Sequence, residues 1–166
     1  MNEPGSSAEH HIVGPLLHAR GATIATAESC TGGLIGSLLT DVPGSSDYVL
    51  GGVIAYADAV KQGLLGVRAE TLDALGAVSQ EVALQMARGA RRLLGADYAL
   101  AVTGIAGPTG GTPGKPVGLV YIALVGPGVE RCERHVWDGG RLENKLYSAR
   151  RALRMLIEHL EVEDGA

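Results

Sequence analysis

The chain has 166 residues, of which 46% are hydrophobic and 19% charged, with a net charge of −4. That size fits one compact domain that buries roughly two-thirds of its unfolded surface, and the composition excludes intrinsic disorder. The acidic balance excludes bulk attraction to nucleic acid, and the lack of a run of about 18 apolar residues excludes a membrane-spanning helix.

Two cysteines, Cys30 and Cys132, make no disulfide framework, so a reduced, cytoplasmic setting is the default. Residues Met1 to Glu9 carry Glu3 and Glu9 and no basic stretch, unlike a signal peptide. Phenylalanine is absent and glycine numbers 25. The core must therefore be built from Ala, Val, Leu and Ile, with many short connections between strands and helices.

In chain order, residues 1–8 read as a flexible end. His10 to Arg20 has apolar residues at Ile12, Val13, Leu16 and Leu17, a helical spacing, with Pro15 limiting where the helix begins and Gly21 ending it. Ala22 to Ala27 predicts a short buried strand. After a turn, Leu34, Ile35, Leu38 and Leu39 form a helical face, and Asp41 to Ser46 a loop. Tyr48 to Tyr56 predicts a strand. Asp58 then caps a short helix that Gly66 closes, and a second short helix covers Arg68 to Leu75. Ser79 is the N-cap of the next helix, in which Val82, Met86, Ala90 and Leu93 are aligned and which Gly95 ends.

Asp97 to Thr103 is a buried strand. Gly104 to Pro116, with five glycines and three prolines, is irregular. Val117 to Val125 and Val129 to Trp137 form a hairpin about Gly126-Pro127-Gly128. A long helix follows from Leu142 to Leu160, and 161–166 is an acidic, flexible end. Helices alternating with strands predict a three-layer α/β/α sandwich over 9–160. Its sheet is mixed and mostly parallel, with an antiparallel hairpin.

Three segments directly follow predicted strands, where α/β sheets place their sites: Glu28 to Gly33, Tyr56 to Lys61, and Thr103 to Gly118. Ser29 is the candidate nucleophile, and it needs a base. The histidines at 10, 11, 18, 135 and 159 lie away from these segments. Lys61, desolvated in a pocket, and Tyr56, as a relay, are the candidates. The plainer alternative makes Ser29 a cap, Lys61 a solvated residue and Tyr56 a strand-end aromatic. Cys30 is a second possible nucleophile, or a small buried residue. Glu28 either orients a lysine or closes a cap.

Thr31, Gly32 and Gly33 suit an anion at a helix start, though such turns also serve as plain caps. The glycine-rich stretch, with Thr103, Gly104, Ile105, Ala106, Gly107 and the cation Lys115, suits ligand contact. No His/Asp/Glu cluster has metal-ligand spacing.

At these same segments the chain resembles the CinA carboxy-terminal domain family, the nicotinamide-nucleotide amidohydrolases, over residues 9 to 158. The family's Ala-Glu-Ser-Cys-Thr-Gly-Gly is Ala27 to Gly33 here. Its Gly-Ser-Ser and following strand look like Gly44 to Ser46 and Gly51 to Tyr56. Its Lys-x-x-Leu-Leu-Gly-Val looks like Lys61 to Val67. Gly76-Ala77-Val78-Ser79, Thr103 to Pro108, Gly110-Gly111 and Lys115 to Gly118 complete the match.

The resemblance implies a stand-alone enzyme that hydrolyses the carboxamide of nicotinamide mononucleotide, in nucleotide recycling. It places the family's serine, tyrosine and lysine on Ser29, Tyr56 and Lys61. It implies no cofactor, a small-molecule nucleotide substrate and a homo-oligomer, with the hairpin edge around Val129 to Trp137 as an interface. Arg141 joins Lys115 and the backbone of Thr103 to Gly107 as a candidate for the substrate phosphate. The family's Gly-Asp-Arg before the last helix is replaced by Asp138-Gly139-Gly140-Arg141, where Asp138 would have to support Arg141 from a shifted position. A non-catalytic nucleotide-binding regulatory module is the alternative.

Overall fold

The protein's computed structural model describes residues 8–165. Five strands, β1 (Ile24–Glu28), β2 (Val49–Ile54), β3 (Tyr98–Gly104), β4 (Leu119–Gly126) and β5 (Val129–Val136), form one sheet in the order β2-β1-β3-β4-β5. β1 runs parallel to β2 and β3, β4 is antiparallel to β3, and β5 is antiparallel to β4. Only β4 opposes the other four strands, so the mixed, mostly parallel sheet with its hairpin is present.

Six helices cover the faces: α1 (Glu9–Arg20), α2 (Leu34–Thr40), α3 (Asp58–Leu65), α4 (Ala69–Leu75), α5 (Gln80–Leu94) and α6 (Arg141–Asp164). Two features differ from the sequence expectation. Pro15 lies inside α1, and the helix begins six residues before it. The residue before a proline normally leaves the helical region because its Cβ and amide crowd the ring. Here that residue is Gly14, which has no Cβ and packs against the Tyr48 ring. Residues 161–164, expected as a loose tail, form the last turn of α6. The expectation for residues 1–7 lies outside the described residues.

The two faces of the sheet are built differently, and β3 shows why. In Tyr98-Ala99-Leu100-Ala101-Val102, alternate side chains point to opposite faces. Leu100 and Val102 join Ile24, Ile122 and Leu124 under α1 and α6. Ala99 and Ala101 join Ala25, Ala27 and Ala123 under α5. An alanine floor lets α5 settle close to the sheet, and α5 answers with Ala83, Ala87 and Ala90. A Cβ on Gly89 would stand 2.0 Å from the carbonyl oxygen of Leu65, so the end of α3 is pressed against α5.

The far edge is fastened by charge. Glu133 on β5 receives hydrogen bonds from both Arg151 Nε and Arg151 Nη2 at 2.7 Å, which help hold its carboxyl down to about 2. Glu9 on α1 pairs with Arg150 and Arg154 on α6.

The consequence for function lies at the carboxyl ends of the parallel strands. The amide of Ser29 donates to Val102 O at 2.9 Å, and that of Ala55 to Glu28 O at 2.8 Å. The ends of β1, β2 and β3 are thereby in register. Their chains leave to different sides, which opens a crevice at the β1/β3 switch point. A Gly89→Ala substitution is expected to cost about 1–3 kcal/mol, because the new methyl meets backbone rather than a movable side chain. A urea midpoint equal to wild type would show that α3 does not depend on this approach.

Candidate active site

The turn after β1 is organised by Glu28, which is buried. One carboxylate oxygen accepts from Thr31 Oγ1 at 2.7 Å and from the amide of Ile35 at 2.8 Å; the other accepts from the amide of Gly36 at 3.0 Å. Gly32 and Gly33 take φ of 61° and 102°, a region that L side chains avoid, so the chain can reverse directly into α2. Of the two roles the sequence left open for Glu28, capping is the one observed. The anion site expected at Thr31, Gly32 and Gly33 is therefore already filled by the chain's own carboxylate. Those three residues line a separate depression with Leu34, Leu142 and Lys145.

Ser29 is held by the same turn and faces the crevice. Lys61 reaches it from α3, its side chain 1% exposed, with Nζ 3.1 Å from Ser29 Oγ. The amine also donates to the backbone carbonyl of Tyr56 at 3.2 Å, and Asp58 Oδ1 stands 3.8 Å away. Burial pulls the Lys61 amine below the ordinary lysine value of 10.5, against the opposing pull of Asp58. A lysine poised in this way can exist neutral and accept a proton from the serine hydroxyl. Cys30, the alternative nucleophile, is buried, and burial pushes its thiol up to about 12, which disfavours the reactive thiolate.

The structure corrects the part expected of Tyr56. Its carbonyl, not its phenol, holds Lys61. The phenol is exposed, and its oxygen accepts from Arg141 Nη2 at 3.2 Å. Arg141 also donates from Nη1 to Gly107 O at 2.8 Å, bridging the two walls at the start of α6. Asp138 makes no hydrogen bond or ion pair with it among the described residues. Asn144 ties the neighbouring backbone together instead, donating to Ala106 O at 3.1 Å and accepting from the amide of Gly139 at 3.0 Å. Glu143 caps the start of α6 by accepting from the amide of Gly140 at 2.9 Å.

The cleft encloses about 300 Å³ and brings together Ser29, Cys30, Tyr56, Lys61, Thr103, Gly104, Ile105, Ala106, Gly107 and Arg141. Lys115 is not among its lining residues; its Nζ donates to Leu75 O and ties the glycine-rich loop to the end of α4. Thr103 is at the wall, but its hydroxyl is engaged with Ala77 O at 2.9 Å.

Five further lining residues were not singled out from the sequence: Asp58, Thr109 and Gly110 lie within the flagged segments, and Ala77 and Val78 lie outside them. Asp58 was read as a helix cap, whereas Ala57 holds the cap position and Asp58 is the first residue of α3. The Gly76 to Ser79 stretch was the available signal for Ala77 and Val78. A wider depression of about 510 Å³ at the end of α5 carries Arg88, Arg91 and Arg92 but no nucleophile. Arg88 there is paired with Glu81 and Glu130, and Arg91 with the carbonyl of Asp97.

The family model of the CinA C-terminal domain matches residues 6–160. The chain belongs to the CinA C-terminal domain family. It is 61% identical over 119 residues to a CinA-like protein of Trichormus variabilis, covering 72% of this chain and 29% of that protein. It is 50% identical over 148 residues to a putative competence-damage inducible protein of Desulforudis audaxviator, covering 89% and 36%. The chain thus spans about a third of the curated relatives it matches.

Solved CinA structures are nearer in size. The competence/damage inducible protein CihA from Agrobacterium tumefaciens superposes with a TM-score of 0.88 at 42% identity, over 96% of this chain and 99% of that one. A competence damage-inducible protein A from Klebsiella pneumoniae gives 0.89 at 36% identity, over 93% and 98%. Among the described residues no helix is long and apolar enough to cross a membrane, and no group of His, Cys, Asp and Glu is placed to hold a metal.

The buried amine makes stability depend on pH with a defined sign. Between its lowered folded value and 10.5, the folded chain binds fewer protons at Lys61 than the unfolded chain, so this residue's contribution makes stability rise with pH. In Lys61→Met that contribution vanishes. The difference in urea midpoint, wild type minus Lys61→Met, is expected to grow with pH below 10.5. A flat difference would mean that Lys61 is solvated.

Proposed function

We propose that the chain is an amidohydrolase that cleaves the carboxamide of nicotinamide mononucleotide, giving nicotinate mononucleotide and ammonia. The observation that carries this reading is the buried Lys61 amine 3.1 Å from Ser29 Oγ, on one wall of a cleft open to a small molecule. A serine beside a lysine that burial favours in its neutral form is an activated nucleophile.

Neutral Lys61 takes the Ser29 proton as Oγ attacks the amide carbon. The tetrahedral oxyanion is met by backbone amides. Those of Ala106 and Gly107, which line the cleft, have no acceptor among the described residues, and that of Cys30 lies next to the nucleophile. Each such donor contributes on the order of 3 kcal/mol to the transition state. Lys61 then passes its proton to the leaving nitrogen as the C–N bond breaks, releasing ammonia. Water, deprotonated by the same amine, cleaves the Ser29 ester and returns the hydroxyl.

During the protonated interval the Lys61 ammonium is stabilised by Tyr56 O and by Asp58. Arg141 is the cation at the mouth suited to the substrate phosphate, which would replace its contacts to Gly107 O and Tyr56 Oη. Every step runs through residues of the chain and needs no cofactor.

Ser29→Ala and Lys61→Ala are each expected to lower kcat/KM for ammonia release by at least about 10³-fold. Tyr56→Phe keeps the carbonyl that holds Lys61 and is expected to cost less than about tenfold, mostly in KM. The rate should rise with pH as Lys61 loses its proton, with a midpoint below 10.5. Binding of the nucleotide without ammonia release would identify the regulatory module instead. Full activity in Ser29→Ala would remove the nucleophile assignment.

A further inference from the structure

Three charged side chains line the cleft: Asp58, Lys61 and Arg141. Lys61 is at the floor, where burial favours its uncharged form. Asp58 is three residues earlier on the same helix, its side chain 59% exposed, so its carboxylate stands between the amine and solvent. Its carboxylate Oδ1 is 3.8 Å from the Lys61 amine, whose charged form burial disfavours, and most of the carboxylate faces the open cleft. Tyr56, 61% exposed, has its hydroxyl tied to Arg141 while its ring stays open. A carboxylate and an open aromatic ring near the reacting serine, with a guanidinium at the mouth, form a dipolar surface.

We propose that Asp58 and the Tyr56 ring make the cleft selective for a cationic pyridinium amide over a neutral one. This rests on the amidase reading, and it names which ring charge the site takes. Asp58 Oδ1 is 3.8 Å from the Lys61 amine, which is itself 3.1 Å from Ser29 Oγ, so a ring whose amide reacts at Ser29 would lie within reach of the Asp58 field. A positive ring is attracted by the carboxylate and by the negative face of a tyrosine. A dihydropyridine amide or free nicotinamide, being neutral, gains neither. Hydrolysis replaces the neutral amide with a carboxylate, adding negative charge beside Asp58 and favouring departure of the product. Arg141, at the other end, suits an anionic tail, so the surface complements a zwitterion with its positive end inward.

The test uses two ligands of nearly equal size and opposite ring charge state, the 1-methylnicotinamide cation and nicotinamide. Both are titrated into isotope-labelled Ser29→Ala protein and followed by chemical-shift perturbation. The cation is expected to bind about three- to fivefold more tightly at low salt, as for a partly exposed charge pair. The advantage should shrink at high salt and in Asp58→Asn, persist in Asp58→Glu, and disappear in the Asp58→Asn, Tyr56→Ala double variant. Equal affinities, no binding of either ligand, or an advantage undiminished in Asp58→Asn would overturn the proposal. Ammonia release from nicotinamide mononucleotide is read separately. An inactive protein that still prefers the cation is thereby distinguished from an active amidase indifferent to ring charge.

Discussion

The arrangement depends on keeping one lysine amine out of water beside a serine hydroxyl. An ammonium group in such a place loses its hydration, and a few fixed acceptors replace only part of it. The amine here has Ser29 Oγ, the Tyr56 carbonyl and, at longer range, Asp58. Those acceptors suffice for a neutral amine and leave the charged form at a disadvantage. Lys61 stays at that position because α3 is fixed from behind. Its last carbonyl lies against Gly89, and α5 lies against a floor of alanines. Enlarging that floor would lift α5, and α3 and the amine would move with it.

Glu28 supports the other half of the pair. Its two oxygens take two amides and one hydroxyl, which satisfies a buried carboxylate without a cation. The negative charge is thus spent on the start of α2 and faces away from Lys61. Had Glu28 reached the amine, it would have stabilised the ammonium and weakened the base. Two adjacent residues of one turn therefore do opposite things: Glu28 closes a helix, and Ser29 is left available.

Much of the scaffold could be read from the sequence. The alternation of alanine with larger residues along Tyr98 to Val102, the glycines at helix ends and the apolar spacing of α5 and α6 are local signals with local causes. They gave the element order and the convergence of the three segments after β1, β2 and β3. Side-chain direction was less legible. Nothing in the sequence distinguishes the Tyr56 carbonyl from its phenol as the Lys61 partner, because the choice depends on how the chain turns between β2 and α3. Lys115 looked like a ligand cation because it is the sole lysine of a glycine-rich loop, and its bond to Leu75 O depends on where α4 ends. Pro15 is the opposite case: a local signal for a helix boundary is overridden because the residue before it, Gly14, has no Cβ to crowd the ring.

The turn after β1, read from the sequence as suited to an anion, could serve either an oxyanion or a substrate phosphate. Charge separates them. The amides of Ile35 and Gly36 at the start of α2 are committed to Glu28, so a dianionic phosphate brought there would meet a buried carboxylate rather than a positive helix end. Lys145, which lines that side of the turn, would only partly offset the repulsion. On the cleft side, the Ala106 and Gly107 amides face Ser29 across the cleft without a competing acceptor, and the solvent-open cation among the lining residues is Arg141. Under the proposed amide hydrolysis, the oxyanion goes with the Ser29 side of the cleft and the phosphate with Arg141 at the start of α6. A substrate spanning the two would lie across the Tyr56 ring, its reacting end beside an amine whose charged form burial disfavours.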